Sequence, residues 1–329
     1  MTTVLRPARP PRLLRRFSLP ILLALLLASQ AVASAAALSG TYPDQSLGNR
    51  GVNVKALQHL LRHHGATIEV DGVFAASTVE AVRAFQTARG LTANGRADRA
   101  TWIALRVPVA NGDSGDAVLA LQRLLIEKRK AAITLTGTFD EPTRLAVRAY
   151  QRHARLTVTG AADAITWRSL LAHLELPVWG RSLCDYSVGN GKANWGTSAT
   201  IGQLQAAAVK VAQAGHGRVA LGDIGYEHGG DIAGHQSHEQ GLDVDVRPMR
   251  RAKDQCTWGV NYRWSTYDRA ATRALVKAIR ATAPGHVKLI YFNDPVLIRE
   301  GLVRRYPGHD DHLHIRYCEK VHPVAAYDC

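Results

Sequence analysis

The stretch GHQSHEQGLDVDV at residues 234–246 combines metal-binding side chains with the pattern of a β-strand. His235 and His238 lie three residues apart on a glycine-flanked turn, and apolar and acidic residues alternate after it. This alternation has the period of a strand, so Asp243 and Asp245 share one face while the apolar residues face the core. An imidazole and a carboxylate separated by a tight turn can both bind Zn²⁺. The stretch therefore predicts part of a metal site.

A second stretch of the same kind, HDDHLHIR, occupies residues 309–316 near the C-terminus. His312, His314 and Arg316 would fall on one face of a strand, with the apolar residues between them on the other. We expect the two strands to be neighbours in one sheet. His238, Asp245 and His314 can then converge on one metal ion, leaving one position open. Three protein ligands and an open position are typical of a catalytic zinc rather than a structural one.

The N-terminus predicts an export signal over residues 1–36, followed by a linker at 37–43. Five arginines without an acidic residue precede an apolar run at 19–28 and small residues at 31–36. The apolar run is shorter than the about 20 residues that span a membrane, which favours cleavage near Ala35 or Ala36 over an uncleaved anchor. Arg15 and Arg16 leave both the general and the twin-arginine export routes open. We therefore expect a secreted, periplasmic or wall-associated protein without a stable membrane span, and a monomer.

The formal net charge is +14, and it would be +9 without the five signal arginines. A basic exported protein suits an anionic polymer such as a bacterial envelope. Nucleic acid is the other class of polymer that attracts a basic protein. Because the basic residues are spread along the chain and no nucleic-acid-binding motif is present, we predict no nucleic-acid partner.

The four cysteines all lie in the C-terminal half of the chain. An even number in an exported chain favours disulfides, although three pairings are possible. Proximity in sequence favours Cys184 with Cys256 and Cys318 with Cys329. A four-thiolate zinc site is the alternative, but the chain has no Cys-x-x-Cys motif.

The region before the catalytic stretches contains an internal duplication, with units at 44–107 and 108–173. The two copies are offset by 64 residues at the first matched pair and by 65 thereafter. Apolar residues recur at helical spacing within each copy, so each is predicted to be a compact, all-α domain of three helices. Core packing is favoured over sugar stacking for the tryptophan that each copy carries. The matched positions are Leu57-Gln58 with Leu121-Gln122, Phe85-Gln86 with Tyr150-Gln151, and Trp102 with Trp167.

These repeated residues resemble the peptidoglycan-binding domain of cell-wall hydrolases. In the first copy the resemblance rests on the Leu-Gln and Phe-Gln pairs, Asp71-Gly72-x-Phe74, Gly90-Leu91 and Thr101-Trp102. The second copy departs from the pattern, with Arg155 in place of Gly90 and no aspartate before Gly137. The resemblance implies that the repeats bind peptidoglycan and direct the enzyme to it.

A hinge-like stretch at 174–187 leads into the last domain, predicted over residues 174–329. Helices are expected over 203–214 and 268–281, and strands over 218–221 and 287–292. Because helices and short strands do not alternate regularly, we predict an α+β domain around an antiparallel sheet.

The two histidine-rich stretches together resemble the penicillin-insensitive murein endopeptidases, a group of zinc peptidases. The resemblance implies that one Zn²⁺ per chain is held by His238, Asp245 and His314, with His235 as a further ligand or an outer group. It also implies hydrolysis of peptide crossbridges in the bacterial cell wall. A zinc carboxypeptidase or another amide hydrolase acting on stem peptides is an alternative, as is a non-catalytic wall-binding protein.

A general base is expected beside the metal. His312 shares the metal-facing side with His314 and is the first choice, with His309 and Asp311 as alternatives. Asp243 is expected either to orient the ligands or to be an exposed carboxylate on the sheet. The chain lacks the Gly-x-Ser-x-Gly, Ser-x-x-Lys and His-Glu-x-x-His motifs of other hydrolases, so no competing catalytic scheme is indicated.

Overall fold

The structure is a computed structural model that describes residues 41–187 and 192–329. The predicted signal at 1–36 and most of the predicted linker lie outside the described residues. Within the described part of the chain, no helix is both long and apolar enough to cross a membrane.

Each repeat forms the three helices that the sequence predicts. The first contains α1 (Val52–His63), α2 (Ala76–Ala88) and α3 (Arg99–Leu105), and the second contains α4 (Asp116–Arg129), α5 (Glu141–His153) and α6 (Ala164–Ala172). Helices α1 and α4 pack together, so that both repeats contribute to one apolar core. Trp102 and Trp167 are fully buried in it, and their indole nitrogens donate to the carbonyls of Pro43 and Val107 at 2.8 and 2.7 Å. Core packing of both tryptophans is confirmed.

The glutamine of each Leu-Gln pair ties a loop to a helix. Gln58 Oε1 accepts a hydrogen bond from the backbone of Gly72 at 2.9 Å, while its Nε2 donates to Asp71 at 2.8 Å. Gln122 binds the backbone of Gly137 in the same way, and Thr136 replaces the aspartate at 3.1 Å. The missing aspartate of the second repeat is therefore compensated by a hydroxyl in the same role.

Arg155 adopts the left-handed conformation that a glycine provides in the first repeat. Its φ is 55°, compared with 66° at Gly90. A non-glycine residue is disfavoured in this region by its Cβ. The second repeat thus keeps the same backbone turn at a small conformational cost.

The C-terminal region is built on a five-stranded sheet with the order β1–β2–β3–β5–β4. The strands are β1 (Leu183–Asp185), β2 (Val219–Leu221), β3 (Asp243–Val246), β4 (Val287–Tyr291) and β5 (Leu313–Tyr317). Strands β1 and β2 pair in parallel, and the other neighbours are antiparallel. The sheet is therefore mixed rather than wholly antiparallel, because a helical crossover joins β1 to β2 and returns the chain in the same direction.

Helix α7 (Ser198–Gln213) makes that crossover, and α8 (Arg269–Thr282) packs beside it. Helix α7 begins five residues earlier than predicted, because the side chain of Thr197 caps it by accepting a hydrogen bond from the backbone of Thr200. The short helix α9 (Pro295–Arg299) and a 3₁₀ turn (Ala325–Tyr327) complete the region. The apolar core lies between α7, α8 and the sheet.

The stretch predicted as a hinge is part of the packed structure, and that prediction is wrong. Residues 183–185 form the edge strand β1, and Glu175, only 6% exposed, exchanges backbone hydrogen bonds with Gly196. Three residues are too few to show a strand period in the sequence, so no local pattern predicts β1.

The first repeat docks directly on the C-terminal region. The backbone of Asn53 donates to Ser198 Oγ at 3.0 Å, and Arg50 Nε donates to the carbonyl of Thr282 at 3.2 Å. At Gly51, whose φ is 112°, a Cβ atom would lie 2.3 Å from the carbonyl oxygen of Ser198. Only glycine permits this approach of the two backbones.

Both expected disulfides are present, which confirms the pairing. Cys184–Cys256 links β1 to the segment that follows β3, and Cys318–Cys329 closes the C-terminal segment onto the end of β5. The cysteines are therefore not ligands of a four-thiolate zinc site.

Candidate metal centre

The two histidine-rich stretches are brought together by the pairing of β3 with β5. The strands are antiparallel neighbours, with Asp245 opposite His314 and Asp243 opposite Arg316. Residues opposite each other in such a pair project to the same face. The alternation of each strand therefore collects the two carboxylates, the imidazole and the guanidinium on one surface.

Three donor atoms form a nearly equilateral triangle on this face. His238 Nε2 lies 3.3 Å from His314 Nδ1 and 3.5 Å from Asp245 Oδ1, and the last two atoms are 3.2 Å apart. Ligands at the usual 2.0–2.1 Å from a tetrahedral zinc ion would be separated by about 3.4 Å. The donor set and its spacing therefore fit three of the four ligand positions of a tetrahedral zinc ion.

The turn before β3 places His238 at this triangle. His238 is fully buried and has a φ of 81°, in the left-handed region that non-glycine residues seldom occupy. Such strain persists only where surrounding contacts hold it, and it clusters at functional positions. Here the backbone N–H of His238 donates to Asp243 Oδ2 at 3.3 Å, so the strand that supplies Asp245 also fixes the turn.

Asp243 is completely buried, so the expectation of an exposed carboxylate is wrong. It accepts hydrogen bonds from His314 Nε2 at 2.9 Å, from Arg316 at 2.8 Å and from the Tyr327 hydroxyl at 2.7 Å. Burial alone would raise the pKa of Asp243, but these donors hold it well below its usual range. The carboxylate remains charged and directs Nδ1 of His314 towards the triangle.

Asp245 and His314 shift each other's pKa. Burial would raise the pKa of Asp245, but hydrogen bonds from His238 and His314 lower it instead. Burial would lower the pKa of His314, but Asp243 and Asp245 raise it to about 9. Two buried carboxylates around buried imidazoles make this face attractive to a cation.

His235 lies next to the triangle but is bound elsewhere. Its Nε2 is 3.1 Å from Asp223 Oδ2, and its Nδ1 is 3.7 Å from Asp245 Oδ2. The hydrogen bond to Asp223 is the main reason that the pKa of His235 is raised. His235, His238 and Asp245 offer donor atoms within 4.8 Å of one another. The structure therefore places His235 beside the three-atom set, with one ring nitrogen on Asp223 and the other facing Asp245.

The three candidates for the general base occupy the loop before β5. The rings of His309 and His312 have centroids 4.5 Å apart, and that of His309 is 5.8 Å from that of His314. His312 Nδ1 is 2.9 Å from Asp311 Oδ1, whereas His309 Nδ1 is bound to the carbonyl of Pro307. The structure therefore places His309 beside His314 and His312 beside His309, with Asp311 as the hydrogen-bond partner of His312.

Sequence reasoning missed two residues of the site. Asp223 follows β2 by two residues and holds His235, while Tyr327 reaches Asp243 from the C-terminal segment. Neither lies within a histidine-rich stretch. The disulfide Cys318–Cys329 was the one sequence signal that the C-terminal segment folds back, and it encloses Tyr327.

Comparison with known proteins finds family matches in both halves of the chain. Residues 50–105 and 114–170 match the family model of a peptidoglycan binding domain, and residues 174–290 match that of the penicillin-insensitive murein endopeptidases. The second match includes His238 and Asp245 and ends before β5, so His314 lies beyond it.

Among solved structures, the chain is similar to a peptidoglycan-binding protein from Clostridioides difficile, crystallised in complex with glutamine hydroxamate. The identity is 38%, over 20% of this chain and 40% of that one, with a TM-score of 0.19. The aligned segment thus spans less than half of that protein. No curated protein matches the chain.

The family matches agree with the observed division into helical repeats and a mixed α/β region. The order along the chain is therefore two segments that match a peptidoglycan binding domain, followed by one segment that matches the penicillin-insensitive murein endopeptidases.

Proposed function

We propose that the chain is an exported zinc endopeptidase that cuts the peptide crossbridges of peptidoglycan, with His238, Asp245 and His314 as the zinc ligands. The observation that carries this proposal is the triangle of donor atoms with sides of 3.2–3.5 Å. We further propose that residues 44–107, 108–173 and 174–329 are its domains, and that it acts as a monomer outside the cytoplasm.

The chemistry begins with the ligands. When bound, zinc lowers the pKa of a coordinated water towards about 7 and polarises the scissile carbonyl. Asp243 fixes the ring of His314 through Nε2, and Arg316 and Tyr327 fix Asp243 in turn. This support keeps the metal-facing nitrogen of His314 oriented without rearrangement during turnover.

His312 is the residue that we assign to proton transfer. The contact of its Nδ1 with Asp311 favours the tautomer in which Nδ1 carries the hydrogen and Nε2 is free to accept a proton. Nε2 would take a proton from the attacking water and return it to the amine that leaves. Asp311 and His312 thus form a base and its orienting partner, while the bond of His309 to Pro307 gives that ring a supporting position.

The repeats would hold the enzyme on its polymer. A second contact with the wall raises the effective concentration of the active site without changing the reaction. Because the first repeat is docked on the peptidase region, the repeats and the site would approach the wall in one fixed arrangement.

The test combines metal analysis with product identification. The mature chain is produced without a histidine tag. It is incubated with crosslinked muropeptide dimers before and after exhaustive chelation, and the products are identified. We expect chelation to abolish the conversion of dimers to monomers, and added Zn²⁺ to restore it. His314→Ala should lose both the active-site metal and activity while still binding purified walls.

Three results would overturn parts of this proposal. Full activity after verified metal removal would exclude a zinc enzyme. Release of a terminal alanine without loss of dimers would favour the carboxypeptidase. Normal biological function of His314→Ala would favour the non-catalytic wall-binding protein.

A further inference from the structure

A second group of imidazoles and a carboxylate lies where the second repeat meets the peptidase region. His153 ends α5, His173 follows α6, and Glu227 and His228 lie on the segment after β2. None of the four residues contacts the candidate active-site ligands through an observed hydrogen bond or ion pair. The same segment continues through residues 229–234 to the turn that carries His235 and His238.

The side chains converge on the carboxylate. Glu227 Oε1 is 2.9 Å from His153 Nε2 and 3.5 Å from His173 Nε2, and its other oxygen is 4.0 Å from His228 Nε2. His153, His173 and Glu227 offer donor atoms that all lie within 4.8 Å of one another. Three atoms so close together can reach a common ion with small side-chain rotations.

The three rings surround Glu227 almost symmetrically. Their centroids are 5.7 Å apart for His153 and His173, 5.6 Å for His153 and His228, and 6.0 Å for His173 and His228. Imidazoles that share a tetrahedral zinc ion have centroids about 5 Å apart, given bonds of about 2.0–2.1 Å. The observed triangle is thus slightly wider than a loaded site.

The protonation states suit metal binding. Burial lowers the pKa of His173 to about 3, and burial together with Arg129 lowers that of His153, so both rings are neutral near pH 7. Burial would raise the pKa of Glu227, but Arg129 and the histidines lower it, and the carboxylate is charged. His173 Nδ1 contacts the carbonyl of Leu174, which favours a free lone pair on Nε2, as in many ligating histidines.

We propose that His153, His173, His228 and Glu227 bind a second divalent transition-metal ion, of the class of Zn²⁺, which ties the second repeat to the segment leading into the active site. Three imidazoles and one carboxylate are a donor set that such ions prefer. Two ligands come from the repeat and two from the peptidase region. The ion would therefore cross-link the domains and restrain the segment that presents His235 and His238.

Arg129 sets the expected strength of this site. Its guanidinium donates to Glu227 Oε1 and lies 3.4 Å from His173 Nε2. A fixed positive charge disfavours a nearby cation. We therefore expect the ion at this site to bind more weakly than the ion at His238, Asp245 and His314, and to displace Arg129 from one carboxylate oxygen.

The experiment counts metal ions in the full mature chain without a tag. Four proteins are dialysed against Zn²⁺ or Co²⁺, and their metal content is measured by elemental analysis. They are the wild type, a double variant of the second site (His153→Gln with His173→Gln), a double variant of the active site (His238→Ala with His314→Ala), and the variant with all four changes. We expect two ions in the wild type, one in each double variant and none in the combined variant. With Co²⁺, the active-site double variant should retain the visible absorption of a tetrahedral ion.

His228→Ala provides a variant that should fold normally, because this side chain is 58% exposed. The change should lower the affinity of the second site for its ion by more than the about 10–100-fold that is typical of residues that only support a ligand. His63→Gln removes an exposed histidine outside both clusters and is the matched control, with an unchanged metal content.

The outcome separates this inference from the proposed active site. One ion in the wild type and none in the active-site double variant would overturn the second site and leave the active-site proposal intact. The opposite result is one ion in the wild type that remains in the active-site double variant and is lost from His153→Gln with His173→Gln. It would support the second site and contradict the metal centre proposed at His238, Asp245 and His314. An unchanged affinity in His228→Ala, with both ions present, would remove His228 from the ligand set.

Discussion

The repeats and the peptidase region use buried polar side chains in opposite ways. In the repeats, Gln58 and Gln122 direct their amides to loop backbones of their own repeat. In the peptidase region, His238, Asp245 and His314 direct their donor atoms towards one another. A buried polar group whose hydrogen bonds end on nearby backbone maintains the fold, whereas several that meet at one point can bind a ligand. The following predictions test that distinction.

The largest effect is expected at His312. The change His312→Ala should reduce the turnover of soluble crosslinked peptides by about 10²–10⁴-fold, the range of a general base. Zinc content and wall binding should be unchanged, because His312 is not one of the three proposed ligands. Steady-state rates and elemental analysis measure both. His309→Ala is the comparison: if it slows turnover more than His312→Ala does, the assignment of the base is wrong.

Asp243→Asn should have a smaller effect that acts through His314. The amide removes the charge that faces His314 Nε2 and Arg316, and such outer partners typically contribute about 10–100-fold to metal affinity or activity. Competition with a chelator should show weaker zinc binding, and saturating zinc should restore part of the rate. Tyr327→Phe removes only one hydrogen bond to Asp243 and should be milder. Equal metal affinity in Asp243→Asn and the wild type would contradict a positioning role.

In the repeats, Gln58→Ala and Gln122→Ala should lower stability and leave the chemistry unchanged. Each change leaves a buried glycine N–H without its acceptor, which costs about 1–3 kcal/mol. Denaturant unfolding measures this loss, while the rate per folded enzyme on soluble peptides should equal that of the wild type. Gln213→Ala, at an exposed helix end, is the matched control and should be nearly neutral. A turnover defect in folded Gln122→Ala would show that the repeats take part in catalysis.

The last prediction concerns stability alone, namely its pH dependence at Glu319. Burial, with the charge of Asp44, raises the pKa of Glu319 from 4.5 to about 8. The folded chain therefore holds a proton that the unfolded chain releases, so this contribution to stability is present at low pH and is lost as the pH rises to about 8. Glu319→Gln cannot release this proton, so its melting temperature should fall less between about pH 5 and pH 8. An identical pH profile in both proteins would exclude this linkage.

Much of the fold was predictable because its signals are local. The duplication and the helical stripes placed all six repeat helices, and alternation placed β3 and β5. The edge strand β1 was not predictable, because its three residues carry no period and its pairing depends on β2, more than thirty residues away. The hinge predicted around it is wrong for the same reason.

By itself, the sequence determined which side chains are available as ligands and which face of each strand carries them, because spacing fixes faces within one strand. Only the tertiary structure decided that β3 and β5 are neighbours, that Asp223 holds His235, and that Tyr327 supports Asp243. It also decided that the repeats dock on the peptidase region instead of being joined to it by a hinge. These contacts join residues far apart in the chain, and their geometry follows from the packing of the core, which no local pattern specifies.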